Sequence, residues 1–296
     1  MSSFDKILMK FVALVVVYNF DSTLLKENVG SYLNYVDYLY ILDNSDVSLL
    51  TANDFANEKC SLIQFGCNRG IAYALDYGCR KALREGYSWI FTFDQDSKVS
   101  GDYINSMTSY ILQLSPSQIL KIGLIAPIIK LQNSSSFDEE FTESTIVDVA
   151  MTSGCCMNLS VYSHMDGFRE ELFIDWVDND YCYQLKRSNY LILRLNKCIL
   201  FHHLGACVEY EIFGKHLLYV THHSYIRYYY KTRNALYLSI MYFKQFPLIT
   251  CKLLKSIFID IFKILLFEKN KFKKMRFVTL GIVDYFLCKM GKCVHK

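Results

Sequence analysis

The chain has 296 residues, of which 52% are hydrophobic and only three are proline. This composition excludes an intrinsically disordered chain, and the length allows one or two domains with a sizeable core. The net charge of +3 is unevenly distributed, because residues 246–296 hold 11 Lys/Arg and 3 Asp/Glu whereas residues 1–245 hold 21 and 26. We therefore expect an acidic body at residues 1–245 and a basic tail at residues 246–296.

Eleven cysteines are present, but their placement argues against a disulfide framework. Their number is odd, no CxxC pair occurs, and the N-terminus does not resemble a secretory signal peptide. Most of them lie inside apolar periodic segments, as Cys79 and Cys198 do. We expect reduced thiols in a cytoplasmic protein, where they act as small buried apolar residues.

Four short apolar runs dominate the first hundred residues, and each ends in polar turn residues. They lie at residues 11–18, 38–42, 61–65 and 89–93. A helical pattern follows the third run from Ile71 onward. Buried strands that alternate with helices predict a parallel, doubly wound α/β sheet.

The second half of the chain continues this pattern without a linker. Strands are predicted at residues 122–129 and 146–158, the latter interrupted by Ser153–Gly154, with a polar loop at residues 133–143. Neither a Gly/Ser linker nor an internal repeat occurs between the two halves, which favours one domain.

Asn, Asp and Ser residues follow each of the four early strands. In open α/β sheets, ligands bind at the carboxyl ends of the strands. Any one of these residues is also a common helix N-cap. Their recurrence after four successive strands favours a ligand site.

Two carboxylates follow the fourth strand, Asp94 and Asp96. If the chain bends there, both can face one hard cation, and oxygen ligands suit Mg²⁺ or Mn²⁺. Such an ion would neutralise a departing diphosphate. A D-x-D sequence alone is also frequent in turns, so the prediction depends on the other motifs.

Three further acids, Asp175, Asp178 and Asp180, lie beside Trp176 and Tyr181 at the start of a predicted helix. This arrangement suggests a general base next to an aromatic surface for an acceptor sugar. The alternative is an acidic helix N-terminus that complements the helix dipole.

His202 follows an apolar run that includes Cys198. A histidine in this position is either a metal ligand or a core imidazole bonded to a carbonyl group. The residues alone leave both alternatives open.

Seven segments in chain order resemble the family 2 glycosyltransferases, and within them the bacterial rhamnosyltransferases that build O-antigen and other surface polysaccharides. They are VVVYN (15–19), LDNSD (42–46), NRGIAYALDYG (68–78), WIFTFDQDS (89–97), SGCCMN (153–158), GFREELFIDWVDNDYCYQLKRSNY (167–190) and FHHLG (201–205). The resemblance runs from about Phe11 to about Leu238 and includes SYIRYYYKTRN (224–234). Several ordered motifs at family spacing are far more specific than one motif alone.

This resemblance implies a GT-A fold, in which a Rossmann-like, mostly parallel sheet is flanked by helices, and an inverting reaction. Residues 1–245 would form the catalytic domain, and residues 246–296 an amphipathic helical extension. The residues implied to line or border the nucleotide pocket are Tyr18, Asn19, Asp43, Asn68, Gly70 and Asp94.

The resemblance also implies roles for the acidic residues. Asp94 and Asp96 would hold Mg²⁺ or Mn²⁺ and the donor diphosphate, and His202 would complete the metal shell. The family's Glu-Asp pair falls on Val177–Asp178, so Asp178 is the expected base. The loss of the first acid of the pair leaves Asp175 and Asp180 as rivals.

The implied donor is dTDP-rhamnose, and the implied acceptor is a saccharide or a lipid-linked oligosaccharide. A galactofuranosyl or other hexosyl transferase of the same fold is the nearest alternative. Nucleic acid is not among the expected partners.

Two alternatives come from other classes. FDQDSKV (93–99) resembles the signature of haloacid-dehalogenase-type phosphatases, with Asp94 as nucleophile, although that signature usually lies on the first strand. A membrane-peripheral scaffold that has lost catalysis is the other alternative, and only Val177 favours it.

The tail contains an amphipathic helical pattern from Lys252 to Phe267. Its charged residues fall within an arc of about 140°, and no apolar run approaches the roughly 20 residues that cross a bilayer. A basic cluster follows at residues 269–276. This pattern favours peripheral binding to the anionic inner face of the plasma membrane. Packing of the helix on the catalytic domain is the alternative.

Overall fold

The computed structural model describes residues 9–55, 57–99, 101–131, 142–202, 208–212, 215–220 and 222–295. The chain forms two compact units. Unit 1 consists of Met1–Arg169 and Asp178–His203, and unit 2 consists of Glu170–Val177 and Leu204–Lys296. This division does not coincide with the predicted boundary after residue 245, which stays a prediction.

Unit 1 is built on a single eight-stranded sheet. Its strands are β1 (Phe11–Val17), β2 (Tyr38–Asp43), β3 (Cys60–Gln64), β4 (Trp89–Asp94), β5 (Ile122–Leu131), β6 (Ser144–Ile146), β7 (Cys155–Asn158) and β8 (Leu191–His202). They lie in the order β3-β2-β1-β4-β7-β5-β8-β6. The four strands predicted in the first hundred residues are β1 to β4, and they pair in parallel as expected.

The strand order reverses beside β1. Strands β2 and β3 continue on one side of β1, and β4 pairs with its other side. In open α/β sheets, such a reversal leaves a crevice at the carboxyl ends of the two adjacent strands. Tyr18 follows β1 and Asp94 ends β4, so both lie at this edge of the sheet.

The second half of the sheet is mixed. Strand β7 runs antiparallel to β4 and β5, and β6 runs antiparallel to β8, whereas β5 and β8 are parallel. The strand region predicted at residues 146–158 divides into β6 and β7. The mostly parallel, helix-flanked sheet agrees with the predicted class.

The helices along the chain up to residue 187 are α1 (Ser22–Gly30), α2 (Ile71–Arg84), α3 (Gly101–Gln113), α4 (Pro116–Ile119), α5 (Leu159–Tyr162) and α6 (Val177–Arg187). Short 3-10 turns occupy Leu33–Tyr35, Ala52–Phe55 and Glu170–Leu172. All seven residues of β1 are buried, since the core covers both faces of this strand. The ten described cysteines are free thiols, and six of them are buried.

Unit 2 contains a two-stranded antiparallel sheet and three long helices. They are β9 (Val208–Ile212), β10 (Lys215–Val220), α7 (Tyr225–Tyr242), α8 (Pro247–Phe267) and α9 (Lys271–Phe286). Helix α7 packs against both α8 and α9. A Cβ atom on Gly281 of α9 would lie 2.6 Å from the carbonyl oxygen of Tyr229, so this helix contact requires glycine. Within the described ranges, no helix combines the length and apolar character that crossing a membrane requires.

Candidate active site

Hydrogen bonds from backbone amides to side chains join the loops that follow β1, β2 and β4. The amide of Tyr18 donates to Oε1 of Gln95 at 2.7 Å, and the amide of Asn19 donates to Oγ of Ser45 at 2.8 Å. Asn19 adopts a left-handed conformation with φ of 48°, which asparagine tolerates better than most residues. The polar residues predicted to border a nucleotide therefore belong to one connected group of loops.

Asp43 is buried at the end of β2 and shapes the loop after it. Its carboxylate accepts the amide of Ser45 at 3.0 Å and the hydroxyl of Ser48. Gln64 at the end of β3 donates to Oγ of Ser48 at 2.8 Å. Asp43 thus holds the β2 and β3 ends together, whatever further contacts it makes with a ligand.

Asn68 and Gly70 lie at the start of α2, next to the β2 loop. Oδ1 of Asn68 accepts the amide of Gly70 at 3.0 Å and Nδ2 of Asn44 at 3.3 Å. The Asn68 amide donates to Oδ1 of Asp46 at 3.0 Å. Gly70 has φ of 88°, a conformation that favours glycine.

Sequence reasoning missed Gln95, Asn44 and Ser45 as parts of this group. Gln95 lies between the two acids of the D-x-D motif, where it looks like a spacer. Asn44 and Ser45 belong to the LDNSD motif, whose polar character indicated a loop without assigning these contacts.

Two consecutive residues hold the acids of separate segments. Oγ1 of Thr152 donates to Oδ1 of Asp178 at 2.7 Å, and Oγ of Ser153 accepts the amide of Asp94 at 3.3 Å. Oγ of Ser153 also lies 3.0 Å from Oγ of Ser97. The base candidate from α6 and the carboxylate from β4 are therefore fixed by adjacent positions.

The segment that contains Thr152 is tied to β4. Oγ1 of Thr92 donates to the carbonyl of Thr152 at 2.5 Å, and the Gly154 amide donates to the carbonyl of Thr92 at 2.7 Å. Gly154 has φ of 76°, and a Cβ atom there would lie 2.6 Å from the Tyr103 hydroxyl. Any other residue at this position would strain the backbone and displace the segment.

The carboxylates of this group interact electrostatically. Burial is the main cause that raises the pKa of Asp94 to about 7, and the negative charges of Asp178 and Asp96 contribute to this rise, against a lowering hydrogen bond from Ser153. Clustered acids with raised pKa values are typical of catalytic and cation-binding sites. The donor set is oxygen-only at Asp94 and Asp96, as a hard divalent cation requires.

The described residues do not by themselves form a complete metal-binding shell. Among the described residues, no three or more His, Cys, Asp or Glu side chains are arranged to hold a metal ion. His202 ends β8, but its side chain lies outside the described part of the structure, as does all of His203. The predicted role of His202 as a ligand stays a prediction.

The two rivals of Asp178 bind cationic side chains. Asp180 is fully buried, where its carboxylate binds Nε of Arg169 at 3.2 Å and Nε2 of Gln184 at 2.8 Å. Asp175 accepts two hydrogen bonds from Nε and Nη2 of Arg227 at 2.8 and 2.5 Å. These contacts indicate a structural role for both acids. Asp178, in contrast, is half-buried, and its charge contributes to the raised pKa of Asp94.

Asp94→Asn should stabilise the cation-free protein at neutral pH. The pKa of Asp94 is raised from 3.8 to about 7, so the native state keeps a proton that the unfolded chain loses. Wild-type stability should therefore fall as the pH rises from about 4 to about 7, and the Asn variant should lack this contribution. Urea unfolding in EDTA across this range measures the difference between the two proteins. Asp148→Asn, at an exposed carboxylate, is the control, and a pH-independent difference for Asp94→Asn would contradict the expectation.

Comparison with known proteins bears on this site. The model of Glycosyl transferase family 2 matches residues 13–120, which include β1 to β4 and Asp94 and Asp96. The dTDP-rhamnosyl transferase RfbF of Shigella flexneri is 26% identical over 241 residues, or 75% of this chain and 77% of the relative. Both findings confirm the resemblance drawn from the motifs.

Solved structures with a similar fold include two of TarS and one of GalNAc-T7. TarS 1–349 of S. aureus in complex with UDP-GlcNAc has a TM-score of 0.52 and 14% identity, over 94% of this chain and 73% of TarS. GalNAc-T7 with UDP, GalNAc and Mn²⁺ has a TM-score of 0.55 and 13% identity, over 71% of this chain and 45% of that chain. A second TarS 1–349 structure, with a TM-score of 0.50 and 15% identity, matches 66% of this chain, which spans 61% of its length. These similarities confirm the predicted fold class.

Proposed function

We propose that this glycosyltransferase moves a rhamnosyl group from dTDP-rhamnose to a hydroxyl group of a saccharide or lipid-linked acceptor, with inversion at the anomeric carbon. The family match at residues 13–120 and the rhamnosyl transferase relative support this choice of reaction and donor. Assembly of a surface polysaccharide such as O-antigen is the proposed setting. The alternative is a galactofuranosyl or other hexosyl donor, and a screen of nucleotide sugars distinguishes it from dTDP-rhamnose.

The observation that carries the proposal is the pairing of Asp178 with Asp94 through Thr152 and Ser153. Inversion needs one in-line attack, with a base on the acceptor hydroxyl and stabilisation of the departing diphosphate on the other side. Asp178 is the carboxylate placed to take the acceptor proton. Thr152 fixes one of its oxygens, which limits the orientations available to the other.

The nucleotide of the donor would lie at the crevice between β1 and β4. Tyr18, Asn19 and Asp43 border this edge of the sheet, and Asn68 and Gly70 form the adjoining loop. The backbone contacts that these residues make fix the loops before a donor binds. We infer that the donor meets a largely preformed pocket.

Asp94 and Asp96 would hold Mg²⁺ or Mn²⁺, and His202 is the proposed third protein ligand. Oxygen donors and mutual repulsion between Asp94, Asp96 and Asp178 fit a divalent cation. When bound, such a cation would offset the negative charge of the leaving diphosphate. The crystal structure of GalNAc-T7 with UDP and Mn²⁺ supports this choice by likeness of fold.

A phosphatase with Asp94 as nucleophile fits the structure poorly. Asp94 ends the fourth strand, and the connected loops after β1, β2 and β3 would then lack a ligand. The hydrogen bond from Thr152 that orients Asp178 likewise favours an active enzyme over an inactive scaffold.

Asp178→Asn should reduce sugar transfer by about 10²–10⁴-fold, the usual contribution of a general base. Donor affinity should barely change, because the base contacts the acceptor. Transfer assays and calorimetric donor titration measure the two quantities separately. Asp148→Asn controls for the loss of a carboxylate, and near-normal turnover of Asp178→Asn would move the base elsewhere.

Asp96→Ala should abolish cation-dependent binding of the nucleotide. The diphosphate would lose the carboxylate that helps to hold its counterion. Titration with dTDP in Mg²⁺, and again in EDTA, measures the cation-dependent part of the affinity. An unchanged affinity in excess Mg²⁺ would remove Asp96 from the proposed metal site.

The helices of the tail suggest where the enzyme meets a membrane. The exposed apolar residues of α8 are Leu248, Leu254, Phe258, Ile259, Phe262, Leu265 and Leu266. Lys252 and Lys255 are exposed on the same helix. Its acid, Asp260, is buried and pairs with Lys231 at 2.6 Å, so it is not exposed beside the lysines of the predicted arc. The exposed face of α8, a helix described in full, therefore carries no carboxylate.

The segment after α8 extends this surface. Phe272 is 95% exposed and lies between the exposed lysines Lys271 and Lys273. Exposed aromatic and basic residues suit the anionic headgroup region, where each lysine contributes about 1 kcal/mol. We place the enzyme peripherally at the cytoplasmic face of the plasma membrane, close to a lipid-linked acceptor.

Replacing Phe258 and Phe262 with serine should release the protein from anionic vesicles, because the apolar part of the contact is lost. Flotation with vesicles that contain phosphatidylserine, and with pure phosphatidylcholine vesicles, measures binding. The matched control replaces Leu49 and Leu120, two exposed leucines of unit 1, with serine. Equal flotation of both double variants would contradict membrane binding through α8.

A further inference from the structure

A strained backbone segment directly precedes the helix that carries Asp178. Phe173, Asp175 and Trp176 have φ angles of 65°, 63° and 66°, in the left-handed region. Residues with a side chain rarely adopt this conformation, and they keep it only where surrounding contacts impose it. Val177 follows and begins α6, and Asp178 is the next residue.

Asn234 of α7 binds three backbone carbonyls of this segment. Its Nδ2 group donates to the carbonyls of Leu172 at 2.8 Å, Ile174 at 2.8 Å and Asp175 at 3.1 Å. Asn234 is fully buried, so water does not compete for these contacts. One amide group therefore fixes the path of the chain through the strained residues.

Arg227 of α7 holds the side chain of Asp175. Its guanidinium approaches the carboxylate with two nitrogens, Nε at 2.8 Å and Nη2 at 2.5 Å. Such a fork-shaped contact fixes orientation as well as distance. Trp176 contributes a third tie, since its Nε1 donates to the carbonyl of Lys231 at 2.9 Å.

Arg233 and Tyr230 secure the start of the segment. Nη2 of the buried Arg233 donates to the carbonyls of Glu171 and Leu172 at 3.2 and 3.3 Å. The ring of Phe173 stacks on Tyr230 with centroids 5.2 Å apart. All of these contacts come from α7.

These contacts explain the motif SYIRYYYKTRN (224–234). The proposed reaction does not assign a role to any of its residues. Arg227, Lys231 and Asn234 are spaced by four and three residues, which places them on one face of α7. Ser224 caps this helix by accepting the amide of Arg227 at 3.4 Å. These residues of the motif therefore lie on the face of α7 that contacts the segment before α6.

We propose that Arg227 and Asn234 are positioning residues for the base: they hold the strained segment Phe173–Trp176 and thereby fix where α6 begins and where Asp178 points. The inference rests on the proposed function, because it assigns the purpose of the strain to catalysis by Asp178. Neither residue needs to touch a substrate.

Arg227→Gln should lower kcat by about 100-fold, the scale expected when a catalytic group shifts by about 1 Å. The KM for the nucleotide sugar and the affinity for dTDP should not change, because the donor loops are untouched. Arg227→Lys, which keeps the charge, should restore part of kcat. Thr250→Val is the control: it removes a buried hydrogen bond from Thr250 to the carbonyl of Ser239, away from the segment. It should lose stability but keep kcat.

Hydrogen exchange gives a readout that does not depend on activity. In Arg227→Gln, the amides of residues 170–177 should exchange faster than in the wild type, while those of β1 to β4 should not. Asn234→Ser provides a second variant with the same expected pattern. Normal kcat with unchanged exchange would overturn the proposal, as would an equal loss of kcat in Thr250→Val.

These outcomes separate the two proposals. If Asp178→Asn remains active, the base assignment fails whatever Arg227→Gln does. If Asp178→Asn is inactive and Arg227→Gln is normal, only the positioning role fails.

Discussion

The gathering of three carboxylates at a partly buried edge of the sheet is the constraint on which this site depends. Asp94, Asp96 and Asp178 come from two segments far apart in sequence, and the pKa of Asp94 is raised first by burial and then by the charges of the other two. Thr152 donates to the carboxylate of Asp178, and Ser153 accepts the backbone amide of Asp94, so both acidic residues are held in place despite their mutual repulsion. In the proposed reaction, a cation would offset the charge of these carboxylates together with that of the diphosphate.

The segment that supplies these hydrogen bonds depends in turn on the sheet. It enters β7, which runs antiparallel between β4 and β5. This direction delivers residues 152–154 to the end of β4 where Asp94 lies. A parallel β7 would begin at the opposite edge, and its preceding loop would not reach the acids.

The sequence predicts the first half of the fold well, because β1 to β4 are apolar runs ended by turn residues. It does not predict the direction of β7, since a buried strand has the same composition in either direction. Asp178 and Asp180 are separable by helical phase, and the structure places Asp180 in the core against Arg169. The roles of Thr152 and Ser153 arise from contacts with distant residues, which leave no local pattern. For the same reason the lysine partner of Asp260 was not predicted.

The contacts between α7 and the segment before α6 bear on the order in which the parts of the enzyme are synthesised. Domains generally fold as the chain emerges, starting with the N-terminal part. The loops after β1 to β4 and the acids of β4 are complete within the first hundred residues, whereas α7 begins only at Tyr225. The part of the chain proposed to bind the donor is therefore synthesised before the residues proposed to position Asp178. On these two proposals, sugar transfer requires α7 as well as the sheet, so a chain that stops before Asn234 would lack a positioned base.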